Sequence, residues 1–261
     1  STAKAAVFGL PTYRKQGYLS VEDAPESVSK TLEYAYDDWC IARLAEAAGR
    51  PDLRVEYDRR ATGYRSVLDP ETGLVRPRTN GGWLTPFEPR EVNNHFTEAN
   101  AWQYSFAPVH DLAGWTAQLG NGDRRAGLNR LEMLLDGLFS APSATVGREQ
   151  ADITGLVGQY AHGNEPSHHI AYLYNATPNP WKGQRVVRHV LDSLYRNAPD
   201  GLSGNEDCGQ MSAWYVMASL GLYPLVPGES RYATGALYWD RAVLHLQGAL
   251  PGAVPDGLPT K

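Results

Sequence analysis

The chain has 261 residues, of which 42% are hydrophobic and 20% charged, and its net charge is −5. That is enough chain for one large domain or two small ones, with a sizeable core. The acid excess argues against nucleic acid as a partner, since a duplex-binding protein needs a basic face toward phosphate. No apolar run reaches 18 residues, so no membrane span is expected. Seven Trp and 15 Tyr stand against five Phe. Such rings carry a flat apolar face with a polar edge, which suits sugars and suits protein or membrane interfaces equally well. No secretory signal is visible, and the chain starts at Ser1 without Met. The expectation is an upstream segment that has been removed.

The first helix follows Pro25. Val28, Leu32, Ala35 and Trp39 recur at three- and four-residue steps as one apolar stripe, and Gly49 and Pro51 stop it. A second helix is predicted over 53–68, then a turn at Asp69-Pro70-Glu71-Thr72-Gly73. Residues 73–94 combine Gly81-Gly82 and three prolines with Trp83 and Phe87. They read as a long ordered loop, because those aromatic rings need somewhere to pack. Helices are predicted around 99–118, 123–139, 166–175, 180–197 and 209–221, with Gly- and Pro-containing loops between them. Residues 231–246 carry a strand signature in Leu244-His245-Leu246, and the Pro- and Gly-rich tail from Gly248 reads as frayed. The expected architecture is mainly α, with a helical portion over 1–230 and a terminal β-strand segment and tail over 231–261. Helices joined by polar loops suggest part of an α/α toroid with a site at one rim. About seven helices cannot close a six-hairpin ring, so the chain reads as a piece of a larger catalytic unit.

Three loops concentrate the chemistry. The first, Phe96-Thr97-Glu98-Ala99-Asn100-Ala101-Trp102-Gln103-Tyr104, places a carboxylate among amides and aromatics where a helix begins. Glu98 suits a general acid whose pKa Trp102 and Tyr104 would raise; it equally suits a helix N-terminus. In the second, Asn164 and Glu165 offer hard oxygen donors before Pro166, as calcium prefers. His162, His168 and His169 stand too close for usual zinc spacing, and a satisfied helix start is the plainer alternative. The third sets Glu206 and Asp207 between Gly204 and Gly209, ahead of a helix. Asp207 could activate water or bind a cation through it, or the loop could be a helix cap. Inverting glycoside hydrolysis needs one protonated and one ionised carboxyl roughly 6.5–9.5 Å apart with a water between them. Glu98 and Asp207 could meet in that way across a toroid rim. Cys40 and Cys208 show no metal-ligand spacing and read as two buried thiols rather than a pair.

These runs, together with Ser27-Val28-Ser29-Lys30-Thr31-Leu32-Glu33-Tyr34-Ala35-Tyr36-Asp37-Asp38-Trp39, resemble signature runs of glycoside hydrolase family 92, in order over residues 10–246. The resemblance implies a calcium-dependent bacterial exo-α-mannosidase, inverting, with an N-terminal β-sandwich and an (α/α)6 catalytic domain. It implies that this chain is the later part of that domain and that a sandwich and first helices lie elsewhere. Glu98 resembles the general acid and Asp207 the general base. Asn164 and Glu165 resemble the calcium loop, and Asn100, Trp102, Gln103 and Asn205 are expected near the substrate, a mannose-containing N-glycan or mannan. A periplasmic or secreted location goes with it. Two departures stand out. Asn205 takes a position that is often acidic in the family, and Tyr160-Ala161 stand where α-1,2-cleaving members carry a His-Glu pair, which makes α-1,3 or another linkage the expectation. From a different class, a non-catalytic carbohydrate-binding module or an inactive fragment would keep the aromatics and need neither carboxylate.

Overall fold

The computed structural model describes residues 8–244. Helix α1 spans Leu10–Gln16, and α2 spans Ser27–Ala47. The apolar stripe of α2 is buried at Val28, Leu32, Ala35, Trp39 and Ala42, and the helix ends where Gly49 takes a left-handed φ of 67°. Pro51 opens α3, Pro51–Arg60, at the position where its missing N–H costs nothing. This helix buries none of its residues fully. It is held to α2 by Arg60, whose guanidinium lies 2.7 Å from the buried Asp38 carboxylate, which also accepts from the Tyr13 hydroxyl at 2.9 Å. Asp38 is therefore a structural anchor.

The helix predicted over 53–68 is shorter, because the chain tightens into a 3₁₀ turn at Gly63–Ser66. The region 99–118 is likewise broken. Helix α4, Ala101–Tyr104, is a single turn; Pro108 precedes a 3₁₀ turn at Val109–Asp111, and α5, Leu112–Leu119, starts afresh. The Asp111 side chain caps α5 by accepting from the Gly114 N–H at 2.9 Å. Asp123 does the same for α6, Arg124–Ser140, at Ala126. Helices α5 and α6 cross in close contact at Gly127, where a Cβ would stand 1.9 Å from the Thr116 carbonyl oxygen. The segment 166–175 forms 3₁₀ turns at Glu165–Ser167 and Ile170–Ala176 rather than an α-helix. Helices α7, Trp181–Ser193, and α8, Gln210–Ser219, follow.

Among the described residues the strands are two residues long: β1 Arg78–Thr79 pairs with β2 Gly82–Trp83, β3 Glu91–Val92 with β4 Val146–Gly147, β5 Leu156–Val157 with β6 Tyr160–Ala161, and β7 Leu222–Tyr223 with β8 Ala233–Thr234. The β3–β4 pair, joined across distant sequence, runs parallel, and the other pairs are local and antiparallel. The strand expected over 231–246 reduces to β8, while His245, Leu246 and the tail from Gly248 lie outside the described residues. The loop 73–94 is ordered as predicted, and Arg78 packs 4.4 Å from the Trp83 ring centre.

One core joins α2, α4–α8 and the 3₁₀ turn Ile170–Ala176. It is filled by Leu32, Phe106, Trp115, Leu131, Leu135, Tyr172 and Trp214 among others. The architecture is mainly helical, with the polar loops gathered at helix starts. No helix of the described residues is long and apolar enough to cross a membrane. Both cysteines are free; Cys40 is half-buried, and Cys208 is exposed rather than buried, because its backbone sits in a left-handed turn at the surface, φ 57°.

Candidate active site

The first loop is tied to α2 by the Thr97 N–H donating to the Ser29 hydroxyl at 2.8 Å. Glu98 follows with a left-handed φ of 51°, and its side chain is exposed. The next polar residues turn inward. Asn100 caps α4, accepting from the Trp102 N–H at 3.0 Å, while its own N–H donates to Gln103 Oε1 at 2.7 Å. The Asn100 amide donates to Gln159 Oε1 at 2.9 Å, and Gln103 donates to the Gln159 carbonyl at 2.6 Å. Both side chains are buried and committed to this clasp. These bonds tie α4 to the turn between β5 and β6. Trp102 is half-buried, with its ring against Gly137 of α6, and Tyr104 is buried in the core.

Asn164 joins the second loop to the first. Its Nδ2 donates to the Glu98 carbonyl at 3.1 Å, and its Oδ1 accepts from the Glu165 N–H at 3.2 Å. Glu165 presents an exposed carboxyl. In the third loop the capping question resolves by residue. Glu206 does the capping, accepting from the Ser212 N–H at 3.1 Å and its hydroxyl at 3.0 Å. Asp207 is left with an exposed side chain on a left-handed backbone, φ 51°. Asn205 turns to Asp152, at 3.5 Å. Strained φ at two polar loop residues is the kind of feature that clusters at functional sites.

The three loops converge. The Glu165 carboxyl is lifted above the ordinary carboxylate range, first by partial desolvation and then by the charges of Asp207 and Glu98. Asn164 thus ties the first loop to the second, and the charges of Glu98 and Asp207 both reach Glu165. Sequence reasoning singled out these four residues and missed the support behind them.

That support is a hydrogen-bond chain whose proton positions follow from its far end. Tyr195 donates to the Met211 carbonyl at 3.1 Å, so His162 Nε2 donates to the Tyr195 oxygen at 2.6 Å, and His162 Nδ1 accepts from Tyr160 at 2.8 Å. His168 donates through Nε2 to the His162 carbonyl at 2.9 Å and accepts at Nδ1 from Gln210 at 3.0 Å. Trp214 donates to the His168 carbonyl at 2.9 Å. The second loop is thereby fastened to α8, directly behind Asp207. Both imidazoles are neutral: burial pushes His162 down to about 3 and also lowers His168. His169 donates to the Phe106 carbonyl at 2.8 Å and is pushed down to about 4. These three histidines thus act as braces, with His162 and His168 using both ring nitrogens.

Carboxylates set on glycine-flanked loops at helix starts are an arrangement that acid–base chemistry with paired carboxyls can use. A family model described as "Glycosyl hydrolase family 92 catalytic domain" matches residues 2–253, and the chain belongs to that family. Among solved structures it is similar to a family 92 α-mannosidase of Bacteroides thetaiotaomicron in complex with mannoimidazole, with 40% identity and a TM-score of 0.79 over 87% of this chain and 30% of that one. It is also similar to a family 92 inverting mannosidase of the same organism, at 37% identity and a TM-score of 0.74, over 88% of this chain and 32% of that one. Among curated proteins it is 24% identical over 256 residues to an "Uncharacterized secreted glycosidase" of Arthroderma benhamiae, spanning 86% of this chain and 30% of that protein. The chain thus spans about a third of the length of these relatives.

Proposed function

We propose that this chain carries the acid and base of an inverting exo-α-mannosidase that removes terminal mannose from N-glycans or mannan. The observation that carries the reading is the convergence of Glu98, Glu165 and Asp207 at one locus from three loops of a family 92 domain. Glu98, as general acid, delivers a proton to the leaving glycosidic oxygen. Asp207, as general base and free of the capping duty that Glu206 performs, takes the proton from a water on the opposite ring face. Attack from that face inverts the anomeric centre, so an α-mannoside releases β-mannose.

A calcium ion fits the chemistry of this locus. Glu165 and Asp207 are hard oxygen donors close enough to repel, and a divalent cation relieves that repulsion. Among the described residues no three His, Cys, Asp or Glu side chains are grouped so as to hold a metal. Glu165 would be its protein carboxylate, with Asn164 fixing the loop through contacts already made to Glu98 and Glu165. When bound, the ion would supply orientation of the sugar hydroxyls and charge stabilisation. Linkages other than α-1,2 are favoured, because Tyr160 and Ala161 are fully buried in β6 and present no polar group to a sugar. The enzyme is read as periplasmic or secreted, in line with the secreted relative, and the rest of its site as coming from regions that the relatives possess beyond this span.

The deciding experiment follows the first-formed anomer by proton NMR in the protein carrying this domain, with and without calcium. β-Mannose appearing first, and lost on chelation, is the expected outcome; α-mannose appearing first would sink the assignment. Glu98→Gln should slow natural glycosides far more than substrates with good leaving groups. A non-catalytic carbohydrate-binding module would instead keep sugar binding unchanged when Asp207 is replaced and show no turnover to lose.

A further inference from the structure

The second and third loops meet on residues 152–155. The antiparallel pairing of β5 with β6 runs on beyond the two strands: the His162 N–H donates to the Gly155 carbonyl at 3.2 Å and the Gly163 N–H to the Thr154 carbonyl at 3.0 Å. Thr154 thus stands across from Gly163, two residues before Glu165. The third loop lies against both. A Cβ on Gly204 would stand 2.7 Å from the Thr154 hydroxyl oxygen and 2.8 Å from the Gly163 carbonyl oxygen. A Cβ on Gly163 would collide with the same hydroxyl and reach the Ser203 carbonyl oxygen at 2.9 Å. A Cβ on Gly155 would stand 2.8 Å from the Ser203 Cβ. Gly163 and Gly204 therefore close on the Thr154 side chain, and Gly155 admits Ser203 beside it. Asn205, next to Gly204, reaches back to the same segment at Asp152, 3.5 Å away.

The Thr154 hydroxyl oxygen is buried and has no hydrogen-bond partner among the described residues. A buried hydroxyl without a partner costs stability, so hydrogen bonding within the domain does not account for a threonine here. Its shape does. An oxygen is smaller than the methyl group that valine would put in its place, and the two glycine backbones close on it more tightly than on a methyl. Alanine would leave the space between them empty. We propose that Thr154 is a positioning residue whose side chain is the spacer that sets the loop of Glu165 against the loop of Asp207. From Gly163 to Glu165 and from Gly204 to Asp207 the chain runs only two and three residues, so a shift at the spacer is passed on to both carboxylates. Thr154 acts through those loops and not on the sugar. This rests on reading the carboxylate locus as a glycosidase site.

The test compares Thr154→Ser, Thr154→Val and Thr154→Ala in the protein carrying this domain, well below the melting temperature of each. Serine keeps the oxygen, valine overfills the space, and alanine empties it. Steady-state hydrolysis of an α-linked mannobiose is followed at saturating calcium. Valine and alanine should each lower kcat about tenfold with KM within about twofold, while serine stays within about twofold in both, because a sub-ångström misplacement of reacting groups acts on the chemical step. A purely structural role would lower the melting temperature and leave kcat of the folded variants unmoved, which overturns the proposal. So does a serine variant as slow as the alanine variant. Where circular dichroism shows valine or alanine unfolded, the other carries the comparison, and unfolding of both overturns the proposal. Hydrogen exchange read by mass spectrometry gives an arm independent of activity. Amides of residues 163–165 and 204–207 should exchange about fivefold faster in Thr154→Ala and at the wild-type rate in Thr154→Ser, with those of α6 unchanged. Unchanged exchange in both loops overturns the proposal. Loop exchange that responds to Thr154 in a protein without mannoside turnover sinks the glycosidase reading alone. Turnover indifferent to valine and alanine sinks this proposal alone.

Discussion

Acid should unfold this domain through His162. The imidazole is fully buried, engaged at both nitrogens by Tyr160 and Tyr195, and held down to about 3 against an ordinary 6.5. Between those two values the unfolded chain binds a proton that the folded chain refuses, so stability rises with pH there and is lost as pH falls below 6.5. At about pH 5 the unfolded state gains about 1.5 pH units of proton binding, roughly 2 kcal/mol at 1.36 kcal/mol per unit. Against the 5–15 kcal/mol typical of a domain that is a large share. It corresponds to a melting temperature roughly 4–8 °C lower for a chain of this size. Thermal unfolding at pH 7.5 and pH 5, in wild type and in His162→Gln, isolates the contribution. The variant is expected to be less stable at pH 7.5 for want of two hydrogen bonds, but to lose about 2 kcal/mol less on acidification. Parallel pH slopes in the two proteins would refute the argument.

Other consequences follow from single contacts. Arg60→Met leaves Asp38 buried and unpaired and should cost about 3–5 kcal/mol by chemical denaturation. Gly163→Ala puts a methyl 1.8 Å from the Thr154 hydroxyl and 2.9 Å from the Ser203 carbonyl; it should cost about 1–3 kcal/mol and weaken calcium binding by displacing the loop that carries Glu165. If Glu165 holds calcium, the ion should raise the melting temperature of the wild type and leave that of Glu165→Gln unmoved, as differential scanning calorimetry would show.

Much of this was legible before the fold. The stripe of α2 and its Gly49 stop stood out because a buried helix repeats its signal every turn. The three loops stood out because they crowd carboxylates and amides at helix starts, where capping employs Asn100, Asn164 and Glu206 and leaves the others. The region 99–118 misled because the periodicity of Leu112, Trp115 and Leu119 is strong, while the Asn100 cap and Pro108 interrupt it with one residue each. The strand expected over 231–246 shrank because its pairing is decided by a partner, Leu222–Tyr223, of two residues. Which of Glu206 and Asp207 caps α8 could not be read from adjacent positions; it depends on where Ser212 stands. The Tyr160–His162–Tyr195 chain was hidden for the same reason, since it depends on a contact between parts of the chain 33 residues apart.

Asp207, Cys208 and Gly209 occupy the left-handed region in succession, at φ 51°, 57° and 94°, and Glu98 lies there too. Aspartate and asparagine tolerate that conformation better than alanine does, which pays about 1–2 kcal/mol for it. An alanine scan of this locus would therefore mix a backbone penalty with lost chemistry and overstate the role of Asp207. Amide isosteres, Asp207→Asn and Glu98→Gln, remove the titratable group with little change of shape. If the two carboxyls carry the proposed roles, these are the substitutions with which to capture an uncut glycan.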